Sequence, residues 1–157
     1  IKDNYLRFWF AFVYPNLSFI ESGNSRIVMN KIRKGFISSH VAFVYEDICR
    51  EKMWDLSSQD TWPFYFSKIG RYWDSKTEID VVALDPDGKN MILGECKYWK
   101  DPVGINILRD LEEKSKAVSW NKAARKTWFV LFSSSGFTPE LETLAKKRED
   151  VLLVGNN

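Results

Sequence analysis

Three residues in the middle of the chain, Asp80, Glu95 and Lys97, have types and spacing that could do chemistry. Residues two apart on a strand share a face. Glu95 and Lys97 therefore project together, while Cys96 turns the other way with Ile92, Gly94 and Tyr98. A short turn upstream makes the preceding strand a neighbour, which brings Asp80 beside Glu95. Two carboxylates and an ammonium on one sheet surface suit a divalent cation and an anionic oxygen, and suit an apolar core badly. The ordinary alternative is a solvated face or a cross-strand ion pair. Against it stands the context, because both strands are otherwise apolar and belong inside a sheet rather than on its rim.

The elements that must position these groups lie in residues 77–99. Ile79, Val81 and Ala83 alternate with Glu78, Asp80 and Val82, the period of a strand. Asp85-Pro86-Asp87-Gly88 supplies a turn, and a second strand runs from about Asn90. Upstream, residues 38–54 read as a helix capped by Ser38 or Ser39, with Val41, Val44, Tyr45 and Ile48 as its main apolar stripe. Ala42, Glu46, Cys49 and Met53 form a second row in which Glu46 is the only charge. A carboxylate in such a row needs a partner. That partner is either Arg50 at i+4 or the site formed by Asp80 and Glu95.

These residues resemble the PD-(D/E)XK nuclease superfamily. Asp80 matches its metal-binding Asp, and Glu95 and Lys97 match its E-x-K. The flanking I-G-R-Y-W-D, E-I-D-V-V-A and G-E-C-K-Y-W are similar to one archaeal branch, a domain of unknown function at the C-terminus of archaeal ATPases. The likeness runs from about Asp3 through Val154, with Ile79 standing where the superfamily name has Pro. It implies an α/β, restriction-endonuclease-like αβββαβ core, a mixed central sheet flanked by helices, behind an N-terminal helical extension. It also implies hydrolysis of DNA phosphodiester bonds with Mg²⁺ or Mn²⁺ held by Glu46, Asp80, Glu95 and the carbonyl of Cys96. Lys97 would orient the attacking water and stabilise the transition state. A P-loop ATPase module upstream of Ile1 is a further implication, and Ile1 in place of Met fits a fragment or processed product. The rival function is a nuclease-fold module that binds DNA or protein without cutting.

Composition sets bounds. A chain of 157 residues, 45% hydrophobic and 15% aromatic, can bury one sizeable core and is not disordered. A net charge of +2 permits nucleic acid without demanding it. Cys49 and Cys96 lack metal-ligand spacing and read as reduced, buried thiols in a cytoplasmic protein. The apolar run at residues 8–14 is too short to cross a bilayer, so no membrane partner is expected. The single histidine, His40, reads as structural and excludes a histidine-based zinc site.

The rest of the chain follows in order. Residues 1–36 read as a helical docking or linker extension and 37–157 as the nuclease-like domain. Tyr5, Phe8, Trp9 and Phe12 have helical spacing up to Pro15, a polar loop follows, and Ile27 to Phe36 make a short helix. Its Lys31, Arg33 and Lys34 read as a solvated face, with phosphate contact as the second role. Residues 64–73 read as the first strand, with Gly70 marking a bulge or a close backbone approach. Arg71 near its end is expected toward solvent, with the site or DNA as its alternative. Lys100 lies in a loop beside the site and completes the basic residues assigned to DNA. A helix at 105–119 turns Leu108, Leu111 and Val118 inward and Arg109, Glu112, Glu113 and Lys116 outward. Residues 127–133 read as a parallel strand, and Ser133-Ser134-Ser135-Gly136 as a connection rather than a P-loop. Thr138 and Pro139 open a last helix, and 151–154 form the closing strand. DNA, the upstream module and a homodimer are the assemblies this reading admits.

Overall fold

The computed structural model describes residues 3–155, which divide into two compact units, Ile1–Tyr45 and Glu46–Asn157. In the first unit, α1 (Asn4–Phe8) passes into a π-helical stretch, a 3₁₀ turn containing Pro15 and then α2 (Leu17–Glu21). Pro15 therefore does not end the helical segment, because at the start of the 3₁₀ turn its missing N–H costs nothing. Part of the expected polar loop is α2. Helix α3 (Ser25–Phe36) runs through a π-helical turn into α4 (Ala42–Ser58). The expected cap at Ser38 or Ser39 is absent because no chain break needs one there. Phe8, Phe12, Phe36 and His40 pack as one ring cluster, with His40 stacked 5.3 Å from Phe36. Lys31 donates to Asn16 Oδ1 at 2.7 Å and lies over the Phe19 ring, whereas Arg33 and Lys34 are exposed.

The second unit is built on a five-stranded sheet in chain order, β1 (Lys68–Trp73), β2 (Glu78–Leu84), β3 (Asn90–Lys97), β4 (Lys126–Ser133) and β5 (Val151–Gly155). The first three strands form an antiparallel meander, and β4 and β5 join in parallel. Chain chemistry explains the change of direction. The β2–β3 turn closes in a few residues, with the Asp85 carboxylate accepting from the amides of Lys89 and Asn90 and Gly88 at φ +74°. The β3–β4 and β4–β5 crossovers instead contain α5 (Ile105–Ser115) and α6 (Pro139–Ala145). The first strand is shorter than expected at its start, and the pairing slips between Gly70 and Tyr72, where Arg71 faces two residues of β2, Asp80 and Val81, so the extra residue lies in β2. Helix α5 is four residues shorter than expected.

One core lies between the sheet and helices α5 and α6, where Met91, Leu93 and Leu131 meet Leu108, Leu111 and Leu141. Cys96, on the alternate face of β3, hydrogen-bonds to Cys49 of α4, so helices contribute to both sides. In α4 the buried row is Glu46, Cys49 and Met53, and Ile48 is 53% exposed. Of the stripe expected to carry the packing, Tyr45 is buried, Val41 and Val44 are half-buried and Ile48 faces outward.

Gly94 sits where β3 passes between β2 and β4. A Cβ there would meet Val130 Cγ1 at 2.7 Å and Val81 Cβ at 2.9 Å. Gly94→Ala is therefore expected to destabilise the fold by about 1–3 kcal/mol, seen as a lower urea midpoint with an unchanged m-value.

Candidate functional site

The site forms where the β2–β3 ladder stops. The last paired residues are Val81 and Gly94, one step short of Asp80 and Glu95. Beyond that point side chains take over from backbone. The Cys96 amide donates to Asp80 Oδ2 at 2.8 Å, and Arg50 Nη1 donates to the Asp80 carbonyl at 2.8 Å. Asp80 thus ties β3 and α4 to the end of β2. It is 9% exposed. Burial, then the Glu95 charge, raises its pKa, and the Cys96 amide, Lys97 and Lys114 partly offset that rise.

Glu95 is 7% exposed and is clasped by two ammonium groups. Lys97 Nζ donates to Oε1 at 2.7 Å and Lys114 Nζ to Oε2 at 3.0 Å. Lys114 escaped the sequence reading. Its signal was present, because Ile107, Leu111, Lys114 and Val118 make a row at i, i+4, i+7 and i+11 that is otherwise buried. A lone cation in an apolar helical row marks a buried acceptor, as a lone carboxylate in α4 marks a buried donor.

That carboxylate, Glu46, is 9% exposed. Its Oε2 is buried without a hydrogen-bond partner, and Arg50 reaches only to 3.7 Å. The expected i+4 pair is weak because the Arg50 guanidinium is committed to Asp47 and the Asp80 carbonyl. Burial raises the Glu46 pKa first and the Asp80 charge second, with Arg71 and Arg50 opposing. Arg71 is half-buried, pairs with Glu78 and lies over the Trp73 ring, so it does not point freely to solvent. Lys100 is exposed.

Glu46, Asp80, Glu95, Lys97 and Lys114 therefore form one electrostatic network on four elements, α4, β2, β3 and α5. Among the described residues, no three His, Cys, Asp or Glu side chains are grouped so as to hold a metal ion where they stand. The Glu95 oxygens face ammonium groups. Cys96 contributes its amide to Asp80, and its thiol is pushed up by the Cys49 hydrogen bond and by burial, so it stays protonated.

A mixed five-stranded sheet with flanking helices, carrying a buried carboxylate–lysine network, defines an α/β domain. The chain belongs to DUF234, a family of archaeal and bacterial proteins of unknown function, which it matches over residues 9–119. An uncharacterized protein of Methanocaldococcus jannaschii is 39% identical over 121 residues, 75% of this chain. The chain spans 27% of that relative's length. Among solved structures, a repair endonuclease from Pyrococcus abyssi is similar over 68% of this chain and 46% of its own, at 14% identity and TM-score 0.41. A protein of unknown function is similar over 73% and 57%, at 21% and 0.46. EndoMS in a complex with double-stranded DNA is similar over 68% and 44%, at 17% and 0.39. No helix among the described residues is long and apolar enough to cross a membrane.

The Glu46 environment has a pH consequence. A carboxyl whose folded pKa is raised binds its proton more tightly in the folded chain, so its stabilising contribution is present at low pH and lost as pH rises through the folded value. Glu46→Gln, in chelator, should therefore raise stability at neutral pH by about 1 kcal/mol. The advantage should shrink as pH falls below the ordinary value of 4.5, in urea titrations run at several pH values.

Proposed function

We propose that this domain is a metal-dependent nuclease module that hydrolyses DNA phosphodiester bonds. The observation that supports it most is Glu46 Oε2, a buried carboxylate oxygen without a hydrogen-bond partner, coupled to a second buried carboxylate with a raised pKa. Folding tolerates such an oxygen poorly unless a ligand uses it. The donor set fits a hard cation, because Glu46, Asp80 and Glu95 offer only oxygens, and the Cys96 carbonyl would add one more. These four residues would hold Mg²⁺ or Mn²⁺. When bound, the ion supplies positive charge that acidifies a water and neutralises the scissile phosphate.

The chain's own residues supply the rest. The Lys97 ammonium, which sits 2.7 Å from Glu95 Oε1, would donate to the attacking water or to a non-bridging phosphate oxygen. Asp80 cannot swing freely, since the Cys96 amide fixes one oxygen and Arg50 fixes its backbone. This rigidity keeps the carboxylate in place when the strand arrives. In the reaction, water oxygen bonds to phosphorus and gives up a proton to solvent, the phosphorus–oxygen bond to the leaving sugar breaks, and the leaving oxygen takes a proton from solvent. The basic residues assigned to DNA in this reading are Lys31, Arg33, Lys34, Arg71 and Lys100. Within a longer protein the module would follow a P-loop ATPase in the cytoplasm, and dimerisation belongs to the same proposal.

The lysine clasp favours one second reading, a module that binds without cutting, because Glu95 is already neutralised where it stands. Thermal unfolding with and without Mn²⁺, beside a nuclease assay on varied DNA structures, separates the two. Expected for hydrolysis are a rise in Tm of a few degrees with Mn²⁺, its loss in Asp80→Asn, and strand cleavage. Lys97→Ala should keep the Mn²⁺ shift and lose at least about 100-fold in cleavage rate. An unchanged Tm with no DNA cut overturns the nuclease reading.

A further inference from the structure

Beside the clasped Glu95 stands an aromatic residue that no packing requirement explains. Trp99 is 49% exposed, and Lys97 Nζ lies over its ring, 5.2 Å from the centroid. An exposed tryptophan on a mobile segment is unremarkable. This one is on a pinned segment. Ser134 Oγ donates to the Trp99 carbonyl at 3.1 Å, the Ser134 amide donates to the Lys97 carbonyl at 3.1 Å, and Ser135 Oγ donates to the Asp101 carbonyl at 2.7 Å. The serine-rich connection after β4 thus holds residues 97–101 by both ends and the middle. Holding the backbone still reduces the entropy that a ring loses when something settles on it.

The surroundings decide what would settle there. An apolar protein surface covering Trp99 would also cover the Lys97 ammonium, and would offer no acceptor to the N–H donors that Glu95 leaves open. A nucleotide satisfies both groups, its base on the ring and its phosphate on an ammonium. Lys114 is a second ammonium on the same carboxylate, and Lys100 is the exposed cation next in sequence. A base can reach the ring only if it is not stacked and paired in a duplex.

We propose that Trp99 is a stacking platform for an unpaired nucleobase, so that the DNA strand lies single-stranded where it meets Lys97 and Lys114. The inference rests on the nuclease reading for the role of the strand, and its binding step stands apart from cleavage. Trp99 acts here as a positioning residue, with no part in proton transfer.

The test is fluorescence anisotropy of the 157-residue chain in chelator, with a labelled oligothymidylate, the same strand carrying abasic sites, and a blunt duplex of equal length. The oligothymidylate should bind more tightly than the duplex. Trp99→Ala should weaken it about tenfold, Trp99→Phe should restore most of the loss, and abasic sites should reproduce the Ala effect without adding to it. Circular dichroism confirms that both variants fold, and Trp99→Phe keeps the comparison decisive if Trp99→Ala does not. Equal or tighter duplex binding, or an oligothymidylate affinity that ignores both substitutions, overturns the proposal. Base-dependent binding through Trp99 without cleavage under Mn²⁺ supports it while rejecting the hydrolytic reading. Cleavage with no Trp99 effect does the reverse.

Discussion

The Asp80 carboxylate stands where two strands stop pairing, and most of the site depends on how that ending is resolved. A β-ladder that ends inside a protein leaves polar backbone groups with no water to satisfy them. Here Asp80 accepts the Cys96 amide through its side chain and gives its carbonyl to Arg50, so strand, neighbour and helix are joined at one residue. The same arrangement draws the Arg50 guanidinium away from Glu46. One hydrogen-bonding solution at the sheet's end therefore leaves the carboxylate oxygen beside it without a hydrogen bond.

The charges follow from that geometry. Glu95 cannot lie close to Asp80 inside a protein without cations, and Lys97 and Lys114 supply them from β3 and α5. Glu46 is left as the least compensated member, opposed by Arg71 and Arg50 but hydrogen-bonded through Oε2 to neither. The network thus holds two carboxylates with raised pKa beside a third that two ammonium groups clasp. The pinned loop at residues 97–101 keeps one face of this network beside an exposed aromatic ring.

Local pattern made the meander legible because its signals are short-range. Alternation over Ile79–Ala83, the Asp85–Gly88 turn and the apolar run of β3 specify two antiparallel neighbours, and the helix after β3 supplies the crossover that a parallel next strand needs. Gly70 marked where the β1–β2 pairing slips, although the extra residue lies in β2. The continuation of helix past Pro15 and across residues 37–41 was not legible. Pro is permitted in a first turn, and whether a π-helical turn replaces a cap depends on packing rather than on composition.

Sequence alone determined that Asp80, Glu95 and Lys97 would share one end of the meander, since strand period and a short turn leave little freedom. It also marked Glu46 as anomalous, because a single charge in an apolar row is anomalous in any fold. Which row of α4 would be buried, whether Arg50 would satisfy Glu46, and that Lys114 would reach Glu95 across 19 residues were decided only by tertiary structure. Each depends on where a long side chain finds its best partner in three dimensions. Arg50 has acceptors at 2.8 Å and closer elsewhere, and a carboxylate four residues along the helix loses that competition. Spacing along a chain fixes which groups are near, but the strongest available hydrogen bond chooses among them.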